Sequence, residues 1–190
     1  MSLPEAIAWA ECPLEDARDV ADLSAREREL LGALSNAKLA REFVAGRMAA
    51  HRAIEKLTGQ AQEVLKDGVG RPCPTDARIR VSISHGRGRA VAAAGFVDRL
   101  GVDLCEHADA GRIETLAARF LSRVPPPGSV RGHCAAWAER EAGLKALGLG
   151  LLDGGAFEAA GSVDAHADVL ATLRRWLVDL EDAVVAIAWA

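Results

Sequence analysis

Trp137, Glu141 and Lys145 recur four positions apart in the run WAEREAGLK. In a helix of about 3.6 residues per turn they form one stripe, an indole, a carboxylate and an ammonium stacked along the axis. Such a stripe offers an apolar anchor, a metal ligand or base, and a cation for phosphate. The same spacing also describes a solvated helix in which Glu141 and Lys145 make an ordinary ion pair worth roughly a few tenths of a kcal/mol. Two further residues stand out by context. Asp103 interrupts the apolar series Leu100, Val102, Leu104 in RLGVDLCEH, where a carboxylate must be hydrogen-bonded or bound to a cation. His85, next to Ser84, ends the alternating run RIRVSIS, as either a capping residue or a catalyst.

The elements that would position these groups are legible. RIRVSIS places Ile79, Val81 and Ile83 on one face and Arg80, Ser82 and Ser84 on the other, which predicts a half-buried strand. GRGR supplies a turn and AVAAAGF returns as a small-residue strand, so Ser84 and His85 lie near a hairpin tip. Upstream, Ser35 or Asn36 caps a helix that runs to about Leu57 and stops at Thr58 and Gly59. Its wheel gathers Leu39, Phe43, Gly46, Ala50, Ile54 and Leu57 on a core face, with Lys38, Arg41, Arg52 and Lys56 roughly opposite. Arg47 lies to the side and serves either role. Arg71 sits in the loop GVGRPCP.

The remaining segments are read more coarsely. Residues 1 to 24 support a strand followed by a turn. Ser24 to Leu34, with alternating Arg26, Glu27, Arg28 and Glu29 ahead of Leu30, Leu31 and Leu34, predicts a short amphipathic helix with a salt-laced surface face. Arg112 to Leu121 has helical spacing. Pro125 to Pro127 and Gly128 break the chain into a surface loop, a candidate partner-facing flap. The tail offers three strand candidates, Ala156 to Ala160, Leu170 to Val178 and Ala183 to Trp189, the middle one equally a helix.

Composition bounds the function class. Half of the 190 residues are apolar, enough for a sizeable core, and the net charge of −4 provides no global field for nucleic acid or an anionic membrane. Any anion site must be local. No apolar run is long enough to span a bilayer, and Glu5, Glu11, Glu15 and Asp16 near the start argue against a signal peptide, so a soluble cytoplasmic protein is expected. Cys12, Cys73, Cys105 and Cys134 form no CxxC pair and fit reduced thiols. RAVAAAGF and DAVVAIAW echo one another, each preceded by a strand candidate and, further back, a long helix. This echo suggests two related halves meeting near residue 97.

GRPCP, SISH, GVDL, LAARFLS and WAEREAGLKALGLGL, in that order, resemble the motifs of the 4′-phosphopantetheinyl transferases, the longer Sfp-like type. The resemblance covers roughly residues 38 to 152 and a final strand. It implies an α+β monomer of two similar α/β halves, residues 1–97 and 98–190, related by a pseudo-two-fold axis and together one compact unit. Coenzyme A and Mg2+ would sit in the cleft between them, the first half as the coenzyme A side and the second carrying the metal and the catalytic helix.

The implied reaction moves 4′-phosphopantetheine from coenzyme A to a serine of an apo acyl or peptidyl carrier protein and releases adenosine 3′,5′-bisphosphate. By this resemblance Arg71 and Pro72 contact the adenosine end, Ser84 and His85 form a phosphate-contacting pair, and Lys38, Arg41 and Arg47 lie in the stretch that meets the phosphates. Asp103 and Glu141 resemble magnesium ligands, and Lys145 the lysine that neutralises the pyrophosphate. Glu141, Lys145 and His85 are the expected catalytic groups. Physical chemistry agrees: magnesium takes hard oxygen ligands and keeps waters, and serine attack on a β-phosphate needs positioning, charge neutralisation and a base.

Two residues depart from the family pattern. GVDL is followed by Cys105 where glutamate is usual, with Glu106 one place later, and Arg140 stands where lysine is usual. A thiol is a poor magnesium ligand, and a one-residue offset on a strand sends Glu106 to the opposite face. The third ligand is then water, or Glu106 re-aimed by a bulge. A catalytically weakened homologue that binds coenzyme A or a carrier without transfer is the alternative expectation.

Overall fold

The computed structural model describes residues 2–17, 19–121, 123–149 and 170–190. The chain divides into two compact units, Met1–Asp98 and Arg99–Ala190. The first is organised by helix α2 (Ala37–Thr58), whose ends follow from local chemistry. The Asn36 side chain accepts from the Lys38 and Leu39 amides, and Gly59 closes the helix in the left-handed conformation at φ 81°. Strands β1 (Ile7–Pro13), β4 (Arg80–His85) and β5 (Arg89–Gly95) form an antiparallel sheet in the order β1-β5-β4. Ala90 through Ala94 of β5 carry small side chains, which lets α2 lie close on the sheet with Ala45, Ala49, Ala53 and Ile54 fully buried.

The predicted core face of α2 holds at Phe43, Ala50 and Ile54, whereas Leu39 is 51% exposed in the first turn. The opposite basic face is largely tied down: Arg52 donates to the Glu11 carbonyl and Lys56 to the Trp9 carbonyl, both on β1.

Helix α1 (Ala25–Gly32) begins with a reciprocal capping box between Ser24 and Glu27. Glu27 departs from the expected salt-laced surface. It is fully buried, and accepts from the Ser24 amide, the Val64 amide and His51 Nε2, with Arg47 Nε 3.8 Å away. Tertiary partners far along the chain override the alternating pattern. The GVGRPCP stretch, expected to be a loop, carries half of a small hairpin in which β2 (Val64–Lys66) pairs with β3 (Pro72–Pro74). Its turn is held by Asp67, whose carboxylate accepts from the Val69 and Arg71 amides.

In the second unit β6 (Leu100–Glu106), β7 (Arg174–Asp179) and β8 (Ala183–Trp189) form an antiparallel sheet in the order β6-β8-β7. Helix α3 (Ala110–Phe120) follows a short 3-10 turn, and helix α4 (Val130–Leu147) ends at left-handed Gly148. In each unit the first strand pairs with the last, and the last with the one before it. The echoing segments RAVAAAGF and DAVVAIAW therefore supply the central strand of each sheet. Of the tail candidates, the middle one is a strand from Arg174, and Ala156 to Ala160 lies outside the described residues. Among the described residues no helix is long and apolar enough to cross a membrane.

Candidate active site

Gly101 fixes how α4 meets β6. A Cβ at this position would lie 1.9 Å from the Ala142 carbonyl oxygen and 2.6 Å from the Ala146 amide nitrogen. Only a residue without a side chain admits so close a helix. Strand alternation then sends Asp103 and Cys105 to the same face as Gly101, toward α4, and Glu106 to the other. The register is unbroken from Leu100 opposite Trp189 to Glu106 opposite Ala183, so no bulge re-aims Glu106.

This approach joins residues 42 positions apart. Lys145 Nζ donates to Asp103 Oδ1 at 2.7 Å and to the Val102 carbonyl at 3.1 Å. The simple surface pair with Glu141 one turn earlier is thus replaced by a contact to the strand. Trp137, the apolar end of the same stripe, packs edge-on against Phe120 with ring centroids 6.1 Å apart.

Glu141 is the strained member of the group. Its Oε1 is buried with no hydrogen-bond partner among the described residues. Burial, and next the charge of Asp103, push its carboxyl up to about 7, against the opposing pull of Lys145 and Arg140. Burial conversely pulls Arg140 down, with Glu141 opposing. Two carboxylates, that of Glu141 with an orphaned oxygen, form a hard-oxygen donor set that suits a divalent cation. They fit magnesium, which prefers hard oxygen ligands. No group of three or more His, Cys, Asp or Glu side chains poised for a metal occurs among the described residues.

Cys105 faces α4 but turns to sulfur chemistry of its own. Its thiol lies against that of Cys134 on α4, and burial, reinforced by Cys134 and Asp103, pushes its pKa far up. Cys134 Sγ donates to the Glu106 carbonyl at 3.4 Å. A thiol held neutral supplies no anionic ligand.

The other predicted residues lie in the first unit. Lys38 pairs with Glu42 at 3.6 Å, and Arg41 and Arg71 are exposed. Pro72 begins β3. Arg47 is 4% exposed, with its guanidinium 4.5 Å above the Phe43 ring, and burial pulls its pKa down against the charge of Glu27. Ser84 and His85 end β4, Ser84 at 5% exposure and His85 exposed. The expected solvent face of β4 is therefore covered at Ser82 and Ser84. A depression of about 410 Å3 lined by Glu11, Pro13, Leu14, Glu15, Gly88 and Arg89 contains none of the predicted site residues. Two glycines set the spacing of these groups: Gly46, which the helical wheel places on the core face, lies under His85, and Gly101, marked in sequence only as a glycine inside a strand pattern, lies under α4.

Comparison with known proteins bears on the class. Residues 26–95 match the family model of the 4′-phosphopantetheinyl transferase N-terminal domain. The match lies within the first unit and agrees with the resemblance that the ordered motifs carry. A holo-(acyl-carrier-protein) synthase from Bacillus anthracis, solved in complex with coenzyme A (3′,5′-ADP), is 29% identical. The match covers 47% of this chain and 92% of that one, with a TM-score of 0.41. No curated protein matches the chain.

Proposed function

We propose that the protein transfers 4′-phosphopantetheine from coenzyme A to a serine of an apo carrier protein, with release of adenosine 3′,5′-bisphosphate. The observation that carries this reading is the group of Asp103, Lys145 and Glu141, two acids and a cation from distant parts of the sequence gathered between one strand and one helix. The family match to residues 26–95 supports it.

In this reading Asp103 and Glu141 would hold Mg2+, which would supply charge neutralisation for the diphosphate of coenzyme A. Lys145 shifts from Asp103 toward the same diphosphate as a second, mobile cation. Glu141, or a water it orients, takes the serine proton. Lys38, Arg41, Arg47, Arg71, Pro72, Ser84 and His85 make the first unit the coenzyme A side, while the second carries the chemistry. The shared strand order of the two units is what the longer, Sfp-like type with two similar halves would have.

Cys105 favours a second reading. With a neutral thiol where the family places glutamate and Glu106 on the opposite face, a weakened homologue would bind coenzyme A without transfer. Incubation with coenzyme A, magnesium and an apo carrier, followed by mass spectrometry of the carrier, separates the two. Transfer adds the mass of phosphopantetheine, and this gain is lost in Asp103→Ala and Glu141→Ala. Absence of any gain across several carriers, together with coenzyme A binding indifferent to magnesium, would leave only the second reading.

A further inference from the structure

We infer that Gly46 is a positioning residue for His85, an inference that rests on the proposed phosphate-contacting role of His85. Gly46 lies in the middle of α2, where alanine is worth about 1 kcal/mol more than glycine to the helix. The local preference is therefore for any other residue. What opposes it is the end of β4. A Cβ on Gly46 would stand 2.6 Å from His85 Nε2, 3.4 Å from His85 Cε1 and 3.1 Å from Ile83 Cγ2. The Nε2 edge of the imidazole thus rests on the bare backbone of the helix, although the residue as a whole is exposed. Ordering a side chain only when the ligand arrives costs entropy on binding. The notch at Gly46 seats the ring in a single orientation before ligand arrives. Added methyl volume pushes the ring out of that seat while leaving the helix intact, because the colliding atoms are the far end of a mobile side chain.

The test compares Gly46→Ala, His85→Ala and the double variant, reading coenzyme A affinity by calorimetry beside thermal stability and kcat. Gly46→Ala should bind coenzyme A about tenfold more weakly, equal to about 1.4 kcal/mol. It should melt no lower than the parent, and change KM for coenzyme A more than kcat. In the double variant the loss should not exceed that of His85→Ala alone, since with the imidazole gone the nearest remaining atom, Ile83 Cγ2 at 3.1 Å, belongs to a residue outside the proposed phosphate contact. Full affinity in Gly46→Ala with a loss in His85→Ala would overturn the seat while leaving the role of His85 standing. Full affinity in both would remove His85 from the phosphate site and the inference with it. Should Gly46→Ala fail to fold, recovery of folding in the double variant supports the contact with His85. Failure there too would make Gly46 a packing glycine against Ile83 and end the proposal.

Discussion

Glu27 in the first unit and Glu141 in the second are both acids taken out of water, and the protein treats them in opposite ways. Burial alone would raise the carboxyl of Glu27. Hydrogen bonds from His51, the Ser24 amide and the Val64 amide overcome that penalty and hold it below its ordinary value. Glu141 pays the same kind of penalty with only the partial compensation of the Lys145 and Arg140 charges: its Oε1 has no partner among the described residues, and Asp103 adds like charge. A carboxylate fully satisfied by amides and an imidazole is a structural joint, fastening α1, α2 and β2 together. One left short of donors retains capacity for a ligand from outside.

The largest expected effect tests the first half of this contrast. Glu27→Ala strips the buried Arg47 of its counter-charge and three donors of their acceptor, and should destabilise the protein by about 3–5 kcal/mol. Glu141→Gln should cost less than about 1 kcal/mol at pH 5 and should stabilise the protein above neutrality, because it removes a charge that burial and Asp103 disfavour. Denaturant unfolding of the two variants reads both numbers, and equal losses would erase the distinction.

The contrast also depends on α4 keeping its distance from β6. Gly101→Ala places a methyl on helix backbone atoms, which cannot swing aside as a side chain would. An overpacking loss of about 1–3 kcal/mol is expected, together with a larger proportional loss of transfer, since the Lys145 to Asp103 contact of 2.7 Å is set by that approach. Retained activity with lowered stability would show that the site tolerates the shift.

Acid and base titration should move the two glutamates in opposite senses. Glu27 ionises in the folded state below its ordinary value, so its contribution is present above about pH 4.3 and is lost as pH falls through its lowered folded value. Glu141 has a folded value near 7. Between about pH 4.3 and 7 the folded protein holds a proton the unfolded chain has released, so stability falls as pH rises through this window. In metal-free buffer, unfolding measured from pH 5 to 8 should show this decline, and Glu141→Gln should remove it. An unchanged slope in the variant would place the titration elsewhere.

Local signals reveal local structure, and the two acids mark where that stops. Asn36 and Gly59 announce the ends of α2, and the alternation in RIRVSIS announces β4, because caps and pleats are written within a few residues. Glu27 in a run of alternating charges reads as surface, since His51 and Val64 lie 24 and 37 positions away. The β2–β3 hairpin is hidden for another reason: prolines and glycines flag a loop, yet Pro72 and Pro74 pair with Lys66 and Val64 in a two-stranded ribbon. At the site, residue types and motif order led to Asp103, Glu141 and Lys145. The redirection of Lys145 toward β6 depends on the close approach at Gly101, which no periodicity displays.

The smallest expected effect concerns Glu106, the one other acid of β6. On sequence it competes with Cys105 for the place of a third ligand. The unbroken pairing with β8 puts its side chain on the face away from Asp103, so it has no route to the same ion without breaking the ladder. Glu106→Gln should therefore leave the magnesium concentration for half-maximal transfer within about twofold of the parent, whereas Asp103→Asn should remove the response. Cys105→Glu adds a carboxylate on the correct face but places it against Cys134 in a tightly packed region. If Glu106→Gln instead shifted the magnesium response tenfold, β6 would have to slip or bulge when metal binds, and the separation of faces that distinguishes ligand from bystander would fail.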